Sequence, residues 1–235
     1  MPRESVLDHL ARLYAASDDP WDHRSSPYEA AKYDATLEAI GPGPFAGMML
    51  ADHGAEVIRI DRGPRDGFTI DAKDPLLRSR RSIALDLKKP EAVQAVRRIA
   101  AQADGLIEGF RPGVMERLGY GWEALHARHP RLIYGAVSGF GHSGPDSLKP
   151  AYDMVVQARG GVMSITGERD RDPVRVGASI GDIVAGMFLT QGVLAALLAR
   201  AQTGVGQKVD VAMLDSQLAI LEHAVALTAV TGRAP

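Results

Sequence analysis

The 235-residue chain contains no cysteine, which excludes disulfides, thiolate catalysis and cysteine-ligated metals. It also has no excess of charge of either sign. The 27 Lys and Arg face 29 Asp and Glu, and the net charge of −2 gives no electrostatic reason to expect nucleic acid or an anionic membrane as partner. No apolar run of the signal-peptide kind follows Met1-Pro2-Arg3-Glu4. The longest apolar segment, Ile183 to Leu198, is broken by Thr190 and Gln191 and reads as too short and too interrupted to span a bilayer. These absences together lead to the expectation of a cytoplasmic protein. The histidines are scattered and no pair shows metal-ligand spacing, so no metal site is expected. Ser138 and Ser143 have no histidine–carboxylate pair at recognisable spacing, which leaves a serine-hydrolase reading poor.

What is present reads as one soluble core of alternating strands and helices. Val6, Leu7, Leu10, Leu13 and Tyr14 fit a helical stripe, and a second helix is predicted from Pro27 to about Ala39. From Gly41 the texture changes. A helix from Phe45 to His53 precedes a strand at Glu56 to Asp61. Pro90 opens an amphipathic helix carrying Ala92, Val93, Val96, Ile99, Ala100 and Ala103 on one face. Short strands are predicted at Gly105 to Glu108, Leu132 to Val137 and Lys208 to Val211, with a helical turn at Val114 to Leu118. A buried helix is expected around Ile183 to Leu198, and a last helix from Leu214 towards Thr228. The expected fold is α/β and Rossmann-like: a mainly parallel sheet covered by helices, with a short helical extension over residues 1–38 ahead of a domain over 39–235.

The most informative stretch is Pro150-Ala151-Tyr152-Asp153-Met154-Val155-Val156-Gln157-Ala158-Arg159-Gly160-Gly161. It places one carboxylate among apolar neighbours after a Gly/Pro/Ser-rich loop. Poor hydration raises the reactivity of such a group unless partners hold it, and carboxylates can act as covalent nucleophiles on acyl groups. A helix N-cap aspartate explains the same residues.

Several motifs in fixed order resemble the N-terminal part of class III coenzyme A transferases, the CaiB/BaiF type, which includes the α-methylacyl-CoA racemases. They are Gly41-Pro42-Gly43-Pro44 with the run to Val57-Ile58-Arg59-Ile60-Asp61-Arg62, then Arg80-Arg81-Ser82-Ile83-Ala84-Leu85-Asp86, Ile107-Glu108-Gly109-Phe110-Arg111-Pro112-Gly113 and Ser138-Gly139-Phe140-Gly141. The Tyr152-Asp153 pair, Gly181-Asp182 and Gly204 to Met213 complete the set. Two departures stand out. Where that family has its first strand, this chain has Tyr33-Asp34-Ala35-Thr36-Leu37-Glu38. Residues 1–36 resemble instead the N-terminus of a nodulation-type SAM-dependent methyltransferase, through Asp19-Pro20-Trp21, Arg24 to Glu29 and Lys32-Tyr33, without the glycine-rich loop of a SAM site. The chain also stops at Pro235, before the family's small domain and returning C-terminal segment.

The resemblance implies an enzyme that moves CoA between an acyl-CoA thioester and a carboxylic acid, with Asp153 forming an aspartyl anhydride and then an aspartyl-CoA thioester. It implies no permanently bound cofactor, coenzyme A and acyl-CoA as substrates, and an interlocked homodimer. Gly41, Arg62, Arg81, Arg111, Arg117 and Ser138 match positions at or near those that hold CoA, where forked cations suit phosphates; for each arginine a solvated surface role is the plain alternative. The Gly160-Gly161 pair could support an oxyanion by backbone approach or simply make a turn. The racemases carry a histidine at the Tyr152 position, paired with an aspartate matching Asp182. A tyrosine is a poor acid–base partner near neutrality, which favours transferase over racemase and leaves Asp182 to cap the helix that follows. A non-catalytic, chimeric CoA-binding remnant is the third reading. His142 reads as a loop residue.

Overall fold

The computed structural model describes residues 35–39, 45–61, 77–168 and 171–233. The strands β1 (Ala35–Ala39), β2 (Glu56–Asp61), β3 (Arg80–Ala84), β4 (Gly105–Glu108), β5 (Ile133–Ser138) and β6 (Lys208–Ala212) form one sheet in the order β3-β2-β1-β4-β5-β6. Every neighbouring pair is parallel. Strand order reverses between β1 and β4, the arrangement of a doubly wound sheet whose ligands sit off the strand C-termini. The expected α/β architecture is the one found.

Both faces of the sheet are covered at its centre, where β4 and β5 are buried along their whole length. On one side Ile107, Ile133 and Val137 pack with Ala46 and Leu50 of α1 (Phe45–Asp52) and with Ala185, Leu189, Val193 and Ala196 of α6 (Ile180–Thr203). On the other side Leu106, Tyr134 and Ala136 meet Val96 and Ala100 of α2 (Pro90–Ala100), Met115 of α3 (Val114–Leu118) and Leu125 of α4 (Trp122–Arg128). Among the described residues the remaining α-helices are α5 (Asp153–Gly160), α7 (Met213–Ile220) and α8 (Glu222–Thr231), with a 3-10 turn at Val162–Ile165.

Several expectations need correction. The helix predicted to run to about Ala39 does not reach it. Ala35–Ala39 is a strand, with Leu37 in register with Ile58 on one side and Leu106 on the other. A central parallel position between two strands overrides local helix propensity. A strand therefore forms from the residues that stood out as a departure in the sequence. The helices expected within residues 1–34 lie outside the described residues. Arg80–Ala84, noted only as a motif, is the edge strand β3. The last helix is two, α7 and α8, bent by 64° across Leu221. Helix α6 is also longer than its apolar run suggested. Its 24 residues are long and apolar enough for a membrane span by length and composition, and its buried stripe packs against the sheet and α1.

The C-terminal end of α6 is fastened to the strand starts by Arg200. Its guanidinium pairs with Asp104 and donates to the carbonyls of Asp104 (3.3 Å) and Arg131 (3.1 Å). Arg200→Met keeps the stem but removes three charge-assisted contacts in a largely buried position. The variant is expected to lose about 2–3 kcal/mol in urea unfolding with an unchanged m-value. A loss under about 0.5 kcal/mol would show the anchor to be incidental.

Candidate active site

Asp153 is the first residue of α5; the residue flanking the helix is Tyr152, in extended conformation. It does not cap its own helix. The buried face of α5 is Asp153, Val156, Gln157 and Gly160, at the i, i+3, i+4, i+7 spacing of one helical face. Tyr152, Met154 and Val155 are exposed. The sequence expectation is thus inverted: most of the apolar neighbours face solvent and the carboxylate faces in.

Asp153 is 8 % exposed and its two oxygens have different partners. The Gly181 N–H donates to Oδ1 at 2.8 Å, and Gln157 Nε2 donates to Oδ2 at 2.8 Å. Arg175 Nε lies 3.4 Å from Oδ2 and is itself 43 % exposed. Gly181 is the second residue of α6, so its N–H is one of those the helix cannot satisfy internally. The carboxylate therefore caps a 24-residue helix from outside, where the helix dipole favours negative charge. Only glycine permits this approach: a Cβ at residue 181 would stand 2.7 Å from Val156 Cγ2 and 3.0 Å from Asp153 Oδ1.

Asp182 does not cap α6 either, since the flanking residue is Ser179. It lies in the first turn, and its carboxyl is pushed up to about 6 by burial and by the negative charge of Asp153, with Arg175 opposing. Asp153 and Asp182 thus share one cation. The glycine pair settles as structure. Gly161 ends α5 with φ +90°, and a Cβ on Gly160 would stand 2.8 Å from Gln217 Cβ of α7.

Beside this carboxylate opens a cavity of about 830 Å³ off the C-terminal ends of β4, β5 and β6. Arg111, Arg117, Ser138 and Tyr152 line it, with the segment 147–152 as one wall. Asp153 is not among its lining residues. Among the described residues Arg111 and Arg117 are exposed and have no acidic partner, while the Ser138 hydroxyl is buried and unpaired. Two free guanidiniums and a spare hydroxyl facing one space suit an anionic ligand with several acceptors. Arg81 is not brought to this cavity. It sits on edge strand β3 paired with Glu56, three strands from β4. Gly41 and Arg62 lie outside the described residues.

Sequence reasoning missed a polar cluster beneath the loop 139–150. Glu108 ends β4 and is 2 % exposed. It accepts from Phe110 N–H (2.7 Å) and from the Tyr134 hydroxyl (3.2 Å), and His142 Nε2 approaches to 3.6 Å. The His142 main-chain N–H donates to Asp210 (3.1 Å), and Lys208 Nζ lies 3.1 Å from its Nδ1. An ammonium can only donate, so Nδ1 is the acceptor and the ring proton sits on Nε2, towards Glu108. Burial pushes Glu108 up to about 7, against the bonds from Phe110 and Tyr134. Burial raises the Tyr134 phenol and lowers the His142 imidazole. The one available signal was the acid closing an otherwise apolar Gly-Leu-Ile-Glu strand. The loop itself is pinned to α5 by Arg159, which pairs with Asp146 and covers the Phe140 ring at 4.7 Å.

A family model, CoA-transferase family III, matches residues 35–235, the whole sheet and every helix described above. The chain belongs to CoA-transferase family III. Curated relatives within it include the succinyl-CoA–D-citramalate CoA-transferase of Chloroflexus aurantiacus, 40% identical over 83% of this chain. The acetyl-CoA:oxalate CoA-transferase of Acetobacter aceti is 42% identical over 82% of it. Each match covers 52% of the relative, so the chain spans about half the length of these curated relatives. Among solved structures, a CAIB/BAIF family protein from Brucella suis superimposes with a TM-score of 0.79 at 33% identity, over 86% of this chain and 57% of the other. That likeness extends the family III assignment from sequence to fold.

Proposed function

We propose that this chain moves CoA between an acyl-CoA and a carboxylic acid, with Asp153 as the covalent nucleophile. The observation that carries the reading is a buried carboxylate, held by one backbone N–H and one amide, next in sequence to Tyr152 on the wall of a cavity that presents two arginines without an acidic partner among the described residues and an unpaired serine. Arg111 and Arg117 would meet the phosphates of CoA, and Ser138 a further acceptor on it. CoA enters as substrate and no resident cofactor is needed. The names of the relatives support the same class: two pair an acyl-CoA with an acid and a third, a succinate–glutarate CoA-transferase, pairs two acids.

The steps balance without a further reagent. A carboxylate oxygen of Asp153 adds to the thioester carbonyl, and collapse expels the CoA thiolate to leave a mixed anhydride. The thiolate then adds to the aspartyl carbon and expels the donor acid. The acceptor carboxylate reverses both steps, releasing its own CoA ester and the free aspartate. In each addition the oxyanion requires donors already in place, and on the aspartyl carbon the Gly181 N–H is one. The exposed apolar side chains of α8, Val225 and Val230 among them, fit assembly with further chains.

Racemisation is the alternative, and Tyr152, largely exposed, stands where that reaction would want a histidine. The deciding experiment supplies succinyl-CoA with labelled acids and follows label into acyl-CoA. In parallel, a 2-methylacyl-CoA is incubated in heavy water. Label transfer without deuterium at Cα is the expected outcome. Deuterium wash-in without transfer would make the chain a racemase, and neither reaction would leave a CoA-binding remnant.

A further inference from the structure

Gln157 is completely buried, on the same face of α5 as Asp153 and one turn along. A glutamine is an expensive core residue unless its amide is satisfied, and here every bond it makes leads to Asp153 or to the strap of chain before α6. Nε2 donates to Asp153 Oδ2 at 2.8 Å and reaches the Ala178 carbonyl at 3.4 Å. Oε1 accepts from the Val176 N–H at 2.9 Å. The orientation of the amide is unambiguous. Reversed, it would set an oxygen against a carboxylate and a carbonyl, and an NH₂ against a backbone N–H.

We propose that Gln157 is a positioning residue for the reaction proposed above, holding Oδ2 of Asp153 in one direction while Gly181 holds Oδ1. The inference rests on that reading of Asp153. A short carboxylate with free side-chain torsions would point at the acyl carbon only part of the time. Two bonds from opposite sides, one from a helix terminus and one from a buried amide, remove that freedom before substrate arrives. Through Oε1 the same amide ties the carboxylate to Val176, next to Arg175, so the strap that carries the cation and the side chain it neutralises are set by one group.

The charged groups around this amide are Asp153 on α5, Asp182 on α6 and Arg175 on the strap, and they define the test. In Gln157→Glu, nearly isosteric, Oε1 still accepts from Val176 but the second oxygen faces Oδ2. Two carboxylates that close share a proton, so the acid limb of the kcat/KM–pH profile moves to higher pH and kcat falls. In Gln157→Leu, kcat falls about 10²-fold while KM for succinyl-CoA changes little, the signature of lost orientation rather than lost binding. Should the leucine variant not fold, the glutamate variant alone decides. The inference is overturned if the glutamate variant follows the parent's pH profile, or if a folded leucine variant stays within about threefold of parent kcat. Asp153→Asn in the same assay separates the two levels. An asparagine variant as active as the parent defeats the reading of Asp153 itself. An inactive asparagine variant beside Gln157 variants of parental rate defeats only the role of Gln157.

Discussion

Asp153→Asn is expected to bind succinyl-CoA as the parent does and to turn it over at least about 10⁴-fold more slowly, the scale of loss when a covalent nucleophile is removed. The substitution is isosteric, so the loss is chemical. The amide carbonyl can still accept from the Gly181 N–H. Its NH₂, however, takes the place of Oδ2 and meets two donors, Gln157 Nε2 and Arg175. Gln157 cannot turn its amide to help, because its oxygen already serves Val176. A stability loss of about 1–3 kcal/mol should accompany the loss of rate, read as a lower urea midpoint at unchanged m. Equilibrium dialysis with the CoA ester checks binding, and peptide mass checks that no asparagine has hydrolysed back to aspartate. Turnover within about tenfold of the parent would remove Asp153 from the chemistry.

Glu108→Gln is expected to stabilise the protein above neutral pH by about 2–3 kcal/mol and to have little effect in mild acid. The carboxyl is raised from 4.5 to about 7 because burial disfavours its anion. Folding therefore takes up a proton between those values. The stability this group lends is fully present below pH 4.5 and is lost as pH rises through 7. A shift of that size corresponds to roughly 3 kcal/mol at full ionisation. A glutamine cannot ionise. With its carbonyl on Phe110 it keeps that bond without the buried charge, while its NH₂, in place of Oε1, donates to the Tyr134 oxygen and the Tyr134 proton and the His142 Nε2–H must turn elsewhere. His142 works in the opposite sense. Its imidazole is lowered by burial, so its contribution is present above the ordinary value of 6.5 and lost as pH falls. Denaturation midpoints of parent and variant from about pH 5 to about pH 8 should diverge as pH rises. Parallel curves would show that Glu108 is not the group that titrates.

What the sequence disclosed and what it hid follow physical lines. Strands with two apolar faces, such as Ile133–Ser138, announce themselves through continuous hydrophobicity, and the α2 stripe through its helical period. The parallel α/β class followed from their alternation. β1 was hidden because its pairing comes from β2 and β4, far away in sequence, and β3 because an exposed edge strand needs no apolar pattern. At the site, Arg111, Arg117 and Ser138, which lie in separate motifs of the sequence, line one cavity. Arg81 does not, since two strands, β2 and β1, separate its strand from β4. Asp153 was conspicuous as the acid in an apolar run, but its true surroundings were not. The partners that hold it, Gly181 and Arg175, are more than twenty residues away, and Gln157 looked like an ordinary helical position. The cluster of Glu108, His142, Lys208 and Asp210 is brought together only by the adjacency of β4, β5 and β6.

The account stands most directly on a covalent trap. The chain is mixed with succinyl-CoA, quenched with hydroxylamine during turnover, digested and read by peptide mass. An acylated or CoA-linked aspartate is cleaved by hydroxylamine to a hydroxamate, and the account predicts that modification on Asp153, absent in Asp153→Asn. An unmodified Asp153 in a sample that is transferring CoA, or a hydroxamate on another carboxylate, would contradict it.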